Sequence, residues 1–447
     1  MSIFDGQRLD NSTFKLDVER MRQGWYTDKY FTNIAHMLTV LSKSDYQYQG
    51  KAGKLPSAYA NKKINSGDLE VEMQFFTRRP GATIVVGLDK ALTMLRLCSG
   101  TVENEKFIDT SANLEVSAVH DGYLINGNGD PLRVQPVMKV RGRYRDFAIL
   151  ETPILGVLTR GSRVATNVYN TLIAANGKPV LFFPARFDAH EVQAADGYAY
   201  NIAVQRFNRD FAGKLPMFVS TDAQGDWWSG EGGGTVAHSA IACFFGDTAE
   251  AMLSFATILP ATVTRIALVD FNNDCVRDSL AVAKVLFDQY RSMVDQGDLT
   301  EAEKFRLYGV RLDTSASLRD VSVTPVGDLS LDMGVTPRLV FNVRQALDRA
   351  WESWNLPADW QMRARDYCQA IKIVVSGGFT PEKIARFEKL LVPVDTYAVG
   401  SSLFDNHGPT VTDFTADVVK VKVDDKWLDL AKVGRKSLEN PSLERIW

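Results

Sequence analysis

Asp270, Asp313 and the small residues Ser376, Gly377, Gly378, Gly400, Ser401 and Ser402 share one setting. They close four short apolar runs, TRIALVD, LYGVRLD, IKIVVSGG and VDTYAVGSS. Carboxylates there could accept sugar hydroxyls or hold magnesium through water, and glycine-bearing turns let backbone N–H groups approach phosphate oxygens. Arg311 lies two residues before Asp313, so on a strand both side chains point to the same side. An arginine with two acids suits a polyhydroxylated, phosphorylated ligand; a salt bridge between Arg311 and one acid would serve structure alone.

A second group precedes these runs. In GGGTVAHS, glycines 232–234 lead through Thr235, a good cap residue, toward a helix with His238 in its first turn. Free N–H groups and the positive end of the helix dipole favour an anion there, so His238 could hold a phosphate or be phosphorylated; it could equally bond a neighbouring loop. Tyr30 in YTDKYF, and Phe183 with Arg186 in FFPARF, offer aromatic faces and a guanidinium for a flat ring bearing a carboxylate, although aromatic residues are most often core. Arg78 and Arg79 are read as a solvated turn. Neither GxxxxGK[ST] nor GxGxxG accompanies the glycine turns.

These residues need rigid positions. Apolar runs separated by helical stretches suggest parallel strands with helical crossovers, a fold whose chemistry gathers at the carboxyl ends of the strands. Residues 68–151 read instead as strands: DLEVEMQFF, ATIVVGL, NLEVSAVHDGYLI, LRVQPVMKV and DFAILE. Thr380 and Pro381 signal a helix start, Gly177 a helix stop, and the polar turn at Asp424 and Asp425 a hairpin. The expected class is α/β: a β-rich sandwich domain over residues 1–150, joined by the hairpin of residues 412–447, and an irregular (β/α) barrel over residues 151–411.

Composition narrows the function classes. The 447 residues hold 51 basic and 54 acidic side chains, which offers no polyanion-binding excess, so nucleic acid is not an expected partner. No apolar stretch approaches the roughly eighteen residues of a membrane span, and MSIFDGQRLD has neither the basic start nor the apolar core of a signal peptide. Cys98, Cys243, Cys275 and Cys368 are scattered, as expected for reduced thiols in a cytoplasmic protein without a structural metal.

Taken in order, YTDKYF, FFTRRPGATIVVGL, ILETPILGVLTRGSRVAT, GGGTVAHS, ALVDFNND, YGVRLDTS, KIVVSGGF, YAVGSS, DFTADVV and AKVGR resemble the nicotinate phosphoribosyltransferase family of type II phosphoribosyltransferases over nearly the whole chain. The resemblance implies an open β-sandwich beside an α/β barrel, in a homodimer with shared active sites. It implies that nicotinate displaces pyrophosphate from magnesium-bound phosphoribosyl pyrophosphate, with ATP as co-substrate phosphorylating His238. Tyr30 is then similar to the aromatic given by the neighbouring subunit, Phe183 to the ring stacked on the other face, and Arg186 to the arginine near the pyridine. Asp270, Arg311 and Asp313 resemble the residues around ribose and pyrophosphate, and Ser376, Gly377, Gly378, Gly400 and Ser401 the 5-phosphate loops. Ser220 and Thr221 could donate to a nicotinate carboxylate, whereas Asp222 could accept from an amide. The chain departs from the family at FPARFD, where DFG and basic residues are usual, at RLDTSA, where RxDSGD is usual, and at Asn273, where an aspartate is usual. Nicotinamide transfer, quinolinate transfer and a non-catalytic scaffold are the competing expectations.

Overall fold

The computed structural model describes residues 5–50, 53–59 and 61–447. The chain divides into two compact units: the chain up to Tyr169 with Tyr198–Arg206 and Asp405–Trp447, and Asn170–Gly197 with Phe207–Phe404.

The first unit is built on a six-stranded antiparallel sheet. Its order is Lys426–Asp429, Phe414–Val423, Glu70–Thr77, Met138–Arg143, Glu115–Ala118, Glu444–Arg445. Asp424 and Asp425, with φ of 48° and 59°, make the tight turn of the first hairpin, a backbone region that short polar side chains tolerate. Two segments within the region read as strand-like are helical. Leu88–Cys98 is a helix whose Leu88, Ala91, Leu92, Leu95 and Cys98, spaced by three or four residues, enter the same core as Met73, Phe75, Val116 and Val140. DFAILE forms short 3-10 turns leading into the Glu151–Ala174 helix. The four apolar residues in a row in DFAILE carry no period that separates the two outcomes.

Glu151, at the start of that helix, faces Asp417 and Asp28, and burial pushes its carboxyl up to about 8 from 4.5, with the two acids adding to the shift. Folding therefore favours the protonated acid: the contribution is fully present below the unfolded value and is lost as pH rises through the folded one. Glu151→Gln should match the parent near pH 4 and exceed it by ~2 kcal/mol at pH 9 in urea unfolding. Equal stability at pH 9 would contradict this.

The second unit holds a five-stranded sheet in the order Val180–Phe182, Thr396–Val399, Lys372–Val375, Gly309–Leu312, Ile266–Leu268, every neighbouring pair parallel. Single parallel bridges carry the ladder on from Phe182 to Val219 and from Val219 to Gly232. Among the described residues no bridge joins Gly232 to the Ile266–Leu268 strand. What is formed is a parallel sheet with extensions at one edge, in keeping with the α/β class. Burial of Val374, Val375, Tyr397 and Val399 explains why these strands read as continuous apolar runs. No helix among the described residues is long and apolar enough to cross a membrane.

Candidate active site

In the parallel sheet, residues with chemical potential stand immediately after the strands. Phe183 follows Phe182, Asp313 follows Leu312, Ser376 follows Val375 and Gly400 follows Val399; Asp270 comes two residues after Leu268, and Ser220 follows the bridge residue Val219. Parallel pairing brings these ends to one edge of the sheet, where a cavity of ≈ 490 Å³ opens. Of the residues singled out from the sequence, Phe183, Arg186, Ser220, His238, Arg311, Asp313, Ser376, Gly377, Gly378, Gly400 and Ser401 line it. Asp270 is not a lining residue but meets His238 directly. Thr221 is turned away, donating to Gln193 Oε1 at 2.8 Å. Tyr30 belongs to the first unit, where it is 56% exposed and donates to Asp28 Oδ2 at 3.2 Å.

The two glycine turns are built differently. Gly377 and Gly378 both take left-handed φ, 84° and 70°, which glycine adopts without steric cost. Ser376 Oγ donates to Asp313 Oδ1 at 2.8 Å and so ties this turn to the neighbouring strand end. Thr380 accepts from the Lys383 N–H and caps the Pro381–Lys389 helix that follows the turn. At Gly400 the requirement is space: an added Cβ would lie 2.6 Å from the Phe187 ring. Phe187 is a site residue that the sequence reading passed over, although it sits in the quoted FFPARF.

Arg311 carries the site's electrostatics. Its guanidinium lies 5.8 Å from the centre of the Phe183 ring and donates to Val236 O at 3.4 Å, while Nε is buried with no hydrogen-bond partner. Burial pulls its pKa below the usual range, with Asp313 and Asp270 pulling it back up and Arg186 adding to the lowering. A cation so placed gains from any anion that enters. The ring of Phe183 packs against Phe218 at 5.9 Å, leaving the guanidinium and an aromatic face as neighbours.

His238 opens the His238–Cys243 helix behind Ala237, which makes no side-chain cap. Thr235, expected as the cap, stands two residues earlier, outside the helix. His238 Nε2 lies 3.0 and 3.1 Å from the two oxygens of Asp270. Burial raises the Asp270 carboxyl above its usual range, His238 lowers it again, and Asp313 adds repulsion. Asp270 at 9% side-chain exposure thus anchors a histidine that remains 46% exposed.

Gln224 is a residue the sequence reading missed. It is fully buried behind Ser220 and makes a capping box with Thr221. The Thr-x-x-Gln spacing is a sequence signature of that box and was the available signal. Asn273, the position where an aspartate is usual, has φ 57° and donates to Arg319 O; its side chain suits the left-handed backbone. Among the described residues no group of three or more His, Cys, Asp or Glu side chains could hold a metal by itself.

A family model, quinolinate phosphoribosyl transferase, N-terminal domain, matches residues 59–162. Nicotinate-nucleotide pyrophosphorylase from Pyrococcus furiosus aligns over 94% of this chain and 80% of its own at 23% identity, with a TM-score of 0.63. Human nicotinic acid phosphoribosyltransferase aligns over 89% of this chain and 75% of its own at 17% identity, with a TM-score of 0.54. At these identities the structural likeness is one of fold.

Proposed function

We propose that the chain is a phosphoribosyltransferase of NAD synthesis and that its base is nicotinate, a reading supported by the phosphoribosyl transferase family model that matches residues 59–162. One observation carries this reading: a cavity bounded by two glycine turns, a carboxylate and the His238–Asp270 pair holds a guanidinium whose Nε has no partner. These parts match the pieces of a phosphoribosyl pyrophosphate molecule and of a pyridine that carries a negative group.

In this account, Gly377, Gly378, Gly400 and Ser401 hold the 5-phosphate through backbone N–H groups and the Ser401 hydroxyl, while Ser376, bonded to Leu312 O and Asp313, positions the first turn. Asp313 accepts ribose hydroxyls. The pyridine lies against Phe183 with its carboxylate toward Arg186 and Ser220. Tyr30 of a second copy would cover the other face, in a homodimer with shared sites. The ring nitrogen forms the new bond to the anomeric carbon as the bond to pyrophosphate breaks, so positive charge develops on the sugar and negative charge on the leaving group. The chain's own task is to align the nitrogen with that carbon, exclude water and offer Arg311 to the departing charge. Asp313 or Asp270 would hold magnesium through water, and the ion would supply further charge neutralisation; carboxylate oxygens suit it. ATP would phosphorylate His238.

The glycine turns give a direct prediction. Gly400→Ala must displace Phe187 from a 2.6 Å contact, and KM for phosphoribosyl pyrophosphate should rise about tenfold, a loss of ~1.4 kcal/mol. An unchanged KM would remove Gly400 from the phosphate site.

The family model matched by residues 59–162 favours quinolinate as a second reading. A panel separates the readings: nicotinate, nicotinamide and quinolinate, each with magnesium and phosphoribosyl pyrophosphate, read by mass spectrometry of the mononucleotide. Product from nicotinate is expected. Product from quinolinate alone would replace the base assignment, and no product from any of the three would favour a scaffold.

A further inference from the structure

Behind the base end of the cavity, Gln224 is 0% exposed. Its Oε1 accepts from the Ser220 N–H at 2.9 Å, the Thr221 N–H at 3.2 Å and Ser220 Oγ at 3.1 Å. Two backbone N–H groups require an oxygen opposite them, which fixes the orientation of the side-chain amide. The Ser220 hydroxyl spends its single hydrogen on this oxygen, and its lone pairs are what remains for the cavity that Ser220 lines. The segment has little room to drift. Thr221 Oγ1 accepts from the Gln224 N–H at 3.3 Å, Trp228 Nε1 donates to Gln224 O at 2.9 Å, and a Cβ on Gly197 would lie 1.9 Å from that same carbonyl oxygen.

We propose that Gln224 is a positioning residue that makes Ser220 a hydrogen-bond acceptor and so admits a pyridine carboxamide beside the pyridine carboxylate. The inference rests on the reading of the cavity as a pyridine phosphoribosyltransferase site and refines its substrate class. A carboxamide N–H donates to the Ser220 lone pair while the hydroxyl keeps its bond to Gln224. A carboxylate has no hydrogen to give, so the hydroxyl must turn toward it and leave Gln224. Gln224 Oε1 retains two backbone donors after that turn, so the cost is one neutral hydrogen bond, a factor of about two to ten. Gln224 therefore tunes selectivity, against the preference for an anion set by Arg186 and Arg311.

The test measures kcat and KM for nicotinamide and nicotinate with phosphoribosyl pyrophosphate in the parent, Gln224→Met, Ser220→Ala and the double variant. Methionine keeps the length of the side chain without its acceptor. Gln224→Met should lower the amide-to-acid ratio of kcat/KM about two- to tenfold, chiefly through KM, and the same change in the Ser220→Ala background should leave the ratio unmoved. An unchanged ratio in Gln224→Met overturns the inference, as does an equal shift when Ser220 is already alanine. If Gln224→Met does not fold, Ser220→Ala decides: the ratio is expected to fall, and a constant or higher ratio overturns the inference. A parent protein that uses nicotinate with no measurable nicotinamide turnover overturns the inference and leaves the enzyme reading standing. A parent that uses neither base overturns both.

Discussion

His238→Ala should abolish stimulation by ATP and leave a slow, ATP-independent transfer. The ratio of rates with and without ATP is expected to fall to about one, measured at saturating nicotinate and phosphoribosyl pyrophosphate. The reason lies in the pair with Asp270. With Nε2 held between the two Asp270 oxygens at 3.0 and 3.1 Å, the proton of a neutral ring sits on Nε2 and the lone pair on Nδ1. Nδ1 can then bond to the terminal phosphorus of ATP as the bond from that phosphorus to the bridging oxygen breaks and ADP departs. Asp270 keeps the ring oriented and balances the positive charge that builds on it. The phosphohistidine would place negative charge at a cavity whose other wall carries Arg311 and Asp313, and so alter how the phosphoribosyl substrate is held. Undiminished stimulation in the alanine variant would remove His238 from ATP coupling.

Arg311→Ala should lower kcat/KM by about a thousandfold, ~4 kcal/mol of transition-state stabilisation, with a larger loss in kcat than in substrate affinity. Arg311 lines the cavity beside Asp313, with Nε buried and unpartnered and its ring-facing side over Phe183. Charge appears on the leaving group only as the glycosidic bond breaks, so a preorganised cation contributes most there. Arg311→Lys should recover a small part of the loss, since an ammonium lacks the planar fork and cannot reproduce two directions of donation at once. Steady-state kinetics of the three proteins check this; a loss confined to KM would mean that Arg311 serves ground-state binding.

Much of the site was legible because its residues sit at the ends of short buried strands. TRIALVD, LYGVRLD, IKIVVSGG and VDTYAVGSS each contain the strand they suggested, and parallel register places Asp313, Ser376 and Gly400 on one cavity. Burial on both faces produces such apolar runs, and a run of that kind marks its own end. Arg311 and Asp313, two residues apart, both line that cavity. What was hidden depends on contacts distant in sequence. Leu88–Cys98 lay among strands, and only its packing into the sheet's core reveals the helix. Closure of the parallel sheet cannot be read from run lengths, because it depends on pairing between the outermost segments. Phe187 becomes a site residue only because Gly400 leaves room for its ring. Gln224 is the exception: its partners Ser220, Thr221 and Trp228 lie within four residues, and the Thr-x-x-Gln spacing already pointed to it. Thr235 has good cap chemistry, yet the helix begins at His238, where Asp270 holds the side chain.

The most direct measurement is the paired yield of pyrophosphate and nicotinate mononucleotide from phosphoribosyl pyrophosphate, magnesium and nicotinate, followed in one reaction without ATP. Equal amounts of the two products, formed by the parent protein and reduced in parallel by Arg311→Ala, are the predicted result. Pyrophosphate released without mononucleotide, or neither product above the rate in buffer, would contradict the assignment of this cavity to phosphoribosyl transfer.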